Sequence, residues 1–198
     1  MERLKALSEF LTPDSRMECF NSTLEWDHGQ LEGVQLLDSV PQDVQSYFET
    51  IKNLCLYGRL VYPFYSVAHL LTFFFIELVL RIALGVKPDD RTRTLRSLLD
   101  QAITAGMIRE DDFSHVRRRN EEQAREKAAL KELDGVPSTL PQSDQYFKVL
   151  VKTLPSLRNI YAHPKHINIV TPGMAFHSIR FAGELANQLF APKGERND

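Results

Sequence analysis

Cysteine is scarce in this 198-residue chain, with Cys19 and Cys55 the only two. Two thiols are too few for a disulfide scaffold or a four-ligand zinc site, so a reducing compartment is the expected setting. Excess charge is also missing. Twenty-four basic and 26 acidic residues leave a formal net charge of −2, with a pI near 6.3. That excludes attachment to nucleic acid by bulk positive charge; RNA contact would need a local basic patch. No glycine-rich phosphate loop of the GxGxxG or GxxxxGK[ST] kind is present, and nothing repeats internally. The opening MERLKALSEF lacks the basic-then-apolar order of a secretion signal and is too acidic for a transit peptide, so a cytoplasmic location is expected. What remains is ordinary globular composition, 43% hydrophobic and 25% charged.

One long uncharged run needs its own reading. Between Arg59 and Glu77 lie the 17 residues LVYPFYSVAHLLTFFFI. A membrane span needs about 20 mainly apolar residues. This run holds Pro63, His69 and two tyrosines, and it leads directly into Glu77 and Arg81. Charges there would each cost roughly 2.5–3.5 kcal/mol inside a bilayer. A helix buried on nearly all sides within a bundle gives the same pattern at lower cost, and no membrane attachment is expected.

Helical periodicity dominates elsewhere. Residues 1–40 have mixed periodicity and read as an extension packed on the bundle, with a short helix before Thr12-Pro13-Asp14 and Trp26 as its anchor. Pro41 suits the start of a helix. After it Val44, Phe48, Ile51, Leu54, Cys55 and Gly58 recur at three- and four-residue steps. The apolar helix covers about 63–84, with Gly85 placed for a left-handed cap. RTRTLRSLLDQAITAGMI supplies another helix. A charge-rich one follows over DDFSHVRRRNEEQAREKAALKELDG, stopped by Gly135. Ser143 is placed to cap a helix from Asp144 to Pro155, and a last amphipathic helix spans about 173–190. Only HINIV hints at a strand. The reading is all-α, an irregular up-and-down bundle of five or six helices over 41–192, with a polar tail at 193–198.

The chemistry concentrates between Leu154 and Val170, in LPSLRNIYAHPKHINIV. Arg158 and Asn159 are followed by His163, five positions after the arginine. On one continuous helix, residues five apart point about 140° away from each other. Pro164 disfavours helical geometry at His163, which predicts a helix ending at or just before it. From there the histidine is expected to swing back toward Arg158, at a helix terminus whose dipole favours a cation. An arginine bracing a phosphate and a histidine moving a proton suit acid–base work on a phosphodiester.

With its Arg-Asn-x3-His core, its position between two amphipathic helices and the following GMAFHSIRFAGELANQLF, this stretch resembles the HEPN superfamily. The likeness is close over 154–190 and extends as a helical pattern over 44–190, with a softer echo in FFFIELVLRIALG and TLRSLLDQAITAGMI. The resemblance implies a helical bundle that homodimerises, bringing two motifs into one cleft. It also implies metal-independent RNA cleavage through the ribose 2′-OH, in phage-defence or toxin–antitoxin settings, with an antitoxin or neighbouring defence protein as a partner. Carried onto this chain, Arg158 would bind the scissile phosphate and His163 would act as general acid or base. Asn159 would hold phosphate or orient the pair. Glu77 and Arg81 match a Glu-x3-Lys/Arg feature of some HEPN families and would pin the motif from within the bundle. One position departs: where antitoxin-silenced HEPN toxins carry a tyrosine two residues past the histidine, this chain has Lys165.

Each candidate also has a plain structural reading. His163 would merely cap its helix, Arg158 would form an interhelix salt bridge, and Glu77 with Arg81 would be a favourable i,i+4 pair. Arg117, Arg118, Arg119 and Lys165 are the candidate RNA contacts, although Glu121, Glu122 and Glu126 offset the arginine cluster as on a solvated face. His163 and His166 lack an evident third ligand, so neither a metal nor another cofactor is expected. Phe73, Phe74 and Phe75 span most of a helix circumference and read as core or dimer interface. Neither cysteine has an adjacent base that would make it a nucleophile. The competing functional reading is a non-catalytic HEPN module that binds a partner protein, nucleotide or RNA.

Overall fold

Two buried charges, Asp27 and Lys52, help to decide how the N-terminal segment meets the middle of the chain, and the helices explain their positions. A computed structural model describes residues 3–132, 146–163 and 169–192. Among them are seven α-helices and no strand: α1 (Leu24–Glu32), α2 (Gln42–Tyr57), α3 (Phe64–Ala83), α4 (Leu95–Thr104), α5 (Ser114–Glu132), α6 (Tyr146–Ala162) and α7 (Pro172–Phe190). The all-α reading holds, with one helix beyond the expected five or six. The addition is α1, inside the segment whose periodicity was mixed. It buries only Asp27 and Leu31, too few positions to write a stripe into the sequence.

Local chemistry starts the helices. Thr23, Thr94 and Thr171 each accept a hydrogen bond from the backbone N–H three residues on, satisfying a donor that the first helical turn leaves free. Pro172 adds a fixed φ at the first position of α7. Pro41 precedes α2 as expected, and Gly85 closes α3 with φ of +63°. The short N-terminal helix is only a 3-10 turn, Leu7–Glu9. One expectation about α6 differs. It does not stop at Pro155 but runs through it to Ala162. A proline inside a helix forfeits one backbone bond, and here burial of Val151 and Leu154 on the flanking turn outweighs that loss. Its expected start at Ser143–Asp144, the Gly135 stop and the 193–198 tail lie outside the described residues. Of HINIV, Ile169 and Val170 are described and are not strand.

Helix α3 is the centre of the bundle. It is the one helix among the described residues long and apolar enough to cross a membrane, and it packs mainly against α7 and α2. Tyr65, Ala68, Phe75, Ile76, Val79 and Leu80 are fully enclosed. Phe48 of α2 meets Phe75 with ring centroids 4.9 Å apart. One apolar cluster runs from Met17 through these helices to Leu189. Where α2 ends, a Cβ on Gly58 would lie 2.8 Å from the Cys55 carbonyl and 2.9 Å from the enclosed Tyr65 ring. Gly58→Ala is therefore expected to destabilise the fold by about 1–3 kcal/mol through overpacking, read as a lowered urea midpoint with an unchanged m-value.

Residues 14–40 are built into the same core. Met17, Leu31, Val34 and Val40 join the cluster, whereas Trp26, the expected anchor, is half exposed with its edge toward Phe176. Polar ties do much of the positioning. Buried Asp27 accepts from Arg59 Nη1 at 2.7 Å, and Arg59 Nη2 donates to the Ser22 carbonyl at 2.7 Å. Lys52 donates to the Val34 carbonyl at 3.0 Å and pairs with Glu49. Asn187 of α7 accepts from the Leu37 N–H and donates to the Gln35 carbonyl. Asp14 accepts from the Arg16 side chain and backbone and from the Tyr62 N–H. Chiefly through the Arg16 side chain, these bonds hold its carboxyl down at about 2.

Candidate functional site

The last turns of α6 carry Arg158 and Asn159, and His163 follows directly. The His163 N–H still donates to the Asn159 carbonyl at 2.9 Å, so its backbone completes the final turn. The helix ends where Pro164 predicted. The Arg158 side chain reaches across to α3. Its Nη2 meets Glu77 Oε2 at 3.4 Å, its Nη1 meets Asn159 Oδ1 at 3.2 Å, and the guanidinium lies 5.5 Å from the Phe74 ring centroid. Arg158 and Glu77 both keep about a quarter of their side-chain surface open, 29% and 25%. The guanidinium is thus held on one side while still meeting solvent on another. Its Nε is enclosed without a hydrogen-bond partner among the described residues.

His163 does not swing back. Its side chain is exposed, and among the described residues no hydrogen bond or ion pair joins it to Arg158. The 140° helical separation persists because the backbone of His163 stays in helical register. Glu77 and Arg81 are not each other's partners either. Glu77 is engaged by Arg158, and Arg81 turns to the carbonyls of Lys87 and Asp90, tying the loop after α3. Arg81 therefore orders a loop and does not touch the motif.

The remaining basic candidates are dispersed. Arg117 and Arg118 on α5 are exposed, while Arg119 pairs with Glu110 at 3.3 Å. Lys165 and His166 lie outside the described residues. No group of three or more metal-ligating side chains occurs among the described residues. Cys19 is exposed; Cys55 is buried, and that burial pushes its thiol far up, away from the nucleophilic thiolate form. Phe73 and Phe75 are core, while Phe74 is the partly exposed ring near the Arg158 guanidinium.

No family model, curated protein or solved structure matches this chain. The site therefore stands on its own geometry.

Sequence spacing did not reveal a second group of aromatic and histidine side chains beside the motif. Tyr161, inside the motif, packs its ring on His69 at 4.7 Å and on Phe73 at 5.9 Å. Beyond His69, a cavity of about 300 Å³ opens between α3, α6 and α7, with His115 and His177 also on its wall. Three histidines on three helices leave no spacing signature; the one hint is His69, a lone imidazole in an uncharged apolar run.

His69 is 7% exposed, and burial, with some help from the His177 charge, holds it down at about 4. The unfolded chain takes up this proton near the ordinary value of 6.5, whereas the folded chain resists it until about pH 4. Stability is therefore at its full value above pH 6.5 and falls as the pH drops from there to 4. The expected loss is on the order of 2–3 kcal/mol. Urea titrations at stepped pH check this, and His69→Leu should flatten the slope, leaving the smaller contribution of His115, which burial also depresses.

Proposed function

We propose that this chain is a metal-independent endoribonuclease of the HEPN type, acting in phage defence or a toxin–antitoxin system. It works as a homodimer whose two Arg158 and His163 sets share one cleft. The observation that carries this reading is the end of α6. An arginine braced by Glu77 and Phe74 keeps an open face, and one turn further on an exposed histidine stands at the helix terminus. Because the two side chains of one copy diverge, a single chain is poorly suited to hold both on one phosphate. A second copy supplies the missing convergence.

In this mechanism a histidine removes the proton from a ribose 2′-OH, whose oxygen attacks the adjacent phosphorus. The bond to the 5′-oxygen breaks, and that oxygen takes a proton from the second histidine. The products carry a 2′,3′-cyclic phosphate and a 5′-OH. Arg158 offers paired N–H donors to the non-bridging oxygens as their charge builds. Asn159, bonded to Arg158 Nη1, keeps that fork oriented, and Glu77 sets it from below.

The second reading is a non-catalytic module that binds a partner protein, nucleotide or RNA. The Arg158–Glu77 contact favours it, since a guanidinium engaged by a carboxylate has less to offer a phosphate. RNA cleavage by the purified protein in EDTA separates the two. Cyclic-phosphate ends made by wild type and not by His163→Ala support the nuclease; silence from a folded wild-type dimer overturns it in favour of the module.

A further inference from the structure

We infer that the outward face of α3 is a docking surface for α3 of a second copy of this chain, with the two helices antiparallel about a two-fold axis at Phe74. This gives the homodimer proposed above its contact face, and rests on that reading for the second copy as occupant. Val67, Leu71, Phe74, Leu78 and Ile82 follow one another at steps of four, three, four and four residues. That spacing sets them within about 80° of the helix circumference. Val67, Leu78 and Ile82 are exposed, and Leu71 and Phe74 are only partly covered. Single exposed apolar side chains are ordinary on a protein surface. A file of five along about 22 Å of one helix is the kind of patch that meets a partner. On one flank Phe75 packs toward Tyr47 of α2; on the other Glu77 holds Arg158 of α6.

The file fits itself in one register. Turned end for end and laid on a copy, Val67 meets Ile82, Leu71 meets Leu78, and Phe74 meets its own equivalent. Full overlap therefore puts the axis at Phe74, whose ring centroid lies 5.5 Å from the Arg158 guanidinium. Direction matters as well. With the helices antiparallel, the axis runs across α3 toward α6, so both copies of α6 lie on the same side of the seam. A parallel pairing would put them on opposite sides. The antiparallel pairing thus supplies the single cleft that the divergence of Arg158 and His163 within one copy calls for.

Charge agrees with a self-contact. The five side chains carry none, so a two-fold seam meets no like charge along its length. On the α6 flank each copy brings Arg158 with Glu77 already beside it, a pair without net charge. Arg81, on that flank, is turned to the carbonyls of Lys87 and Asp90. A bilayer is the other surface that accepts an apolar stripe, but a net charge of −2 gives this chain no attraction to anionic headgroups.

Sedimentation velocity of the full chain, without RNA, tests the face. One helix seam is small beside the roughly 800 Å² per partner of a standard interface, so dissociation in the micromolar range is expected. Leu78→Glu sets a carboxylate in the apolar seam and should weaken the dimer at least about tenfold. Register is read at two positions already exposed in the single chain, with circular dichroism to show that each variant keeps its helices. Val67→Lys and Ile82→Glu should each weaken self-association. Their equimolar mixture should restore a dimer, because the antiparallel register sets the introduced ammonium against the introduced carboxylate. A wild type that stays monomeric to about 1 mM, whether or not it binds phosphatidylserine vesicles, overturns the proposal. So does a Leu78→Glu chain that dimerises like wild type, or a mixture no tighter than its components. A dimer through this face that cleaves no RNA overturns the nuclease and leaves the face in place; cleavage by a dimer that ignores Leu78→Glu does the reverse.

Discussion

His163→Ala should reduce RNA cleavage by about 10²–10⁴-fold, the range expected when a positioned acid–base group is lost. Thermal unfolding should be unchanged. The imidazole is exposed, and only its backbone N–H enters the helical ladder, through the Asn159 carbonyl. Alanine keeps that N–H and forms helix well, so lost activity cannot be assigned to lost structure. Cleavage followed on a labelled RNA in EDTA, beside a melting curve, reads both quantities. Full activity in the variant would remove His163 from the mechanism. Arg158→Ala makes a poorer first test, because it also strips Glu77 of its partner and uncovers Phe74.

Asp27→Ala carries the largest expected change in stability, a loss of about 3 kcal/mol. Removing one member of a buried ion pair strands the other charge, typically at 3–5 kcal/mol. Asp27 is almost fully enclosed, but Arg59 keeps 17% of its side-chain surface open, and that access to water places the expectation at the lower end. The substitution also frees a guanidinium that holds the Ser22 carbonyl, so the segment before α1 should loosen first. Urea denaturation gives the size of the loss, and amide exchange over residues 14–33 gives its location. A change below about 0.5 kcal/mol, the ordinary spread for surface substitutions, would show that apolar packing alone seats this segment.

The sequence made the central helices legible because their burial is periodic. Val44, Phe48, Ile51 and Cys55 in α2, and Leu95, Leu98, Leu99 and Ala102 in α4, are buried at the steps their spacing announced. Helix α1 was hidden because it buries a carboxylate where a stripe would carry an apolar residue, and the partner, Arg59, lies 32 residues away. Pro155 misled because proline is read as a local breaker while its cost is settled by packing on the turn around it. At the candidate site, the end of α6 followed from Pro164. The partner of Glu77 did not. The i,i+4 rule favoured Arg81, but tertiary packing brought Arg158 from 81 residues away. The apolar cavity was invisible for a related reason, since each of its histidines looks unremarkable within its own helix.

The bonds from Asn187 to Leu37 and Gln35 join segments 150 and 152 residues apart. A ribosome emits the earlier partner long before the later one. Until α7 emerges, Val34 and the face of α3 that packs on α7 have nothing to close over them, and the chain waits with apolar surface uncovered. Such long-range closure slows folding, because loop entropy is spent before the contacts that repay it are made. A nascent chain arrested ahead of α7 should therefore resist proteolysis poorly throughout, including in residues 14–40, and gain protection in a single late step.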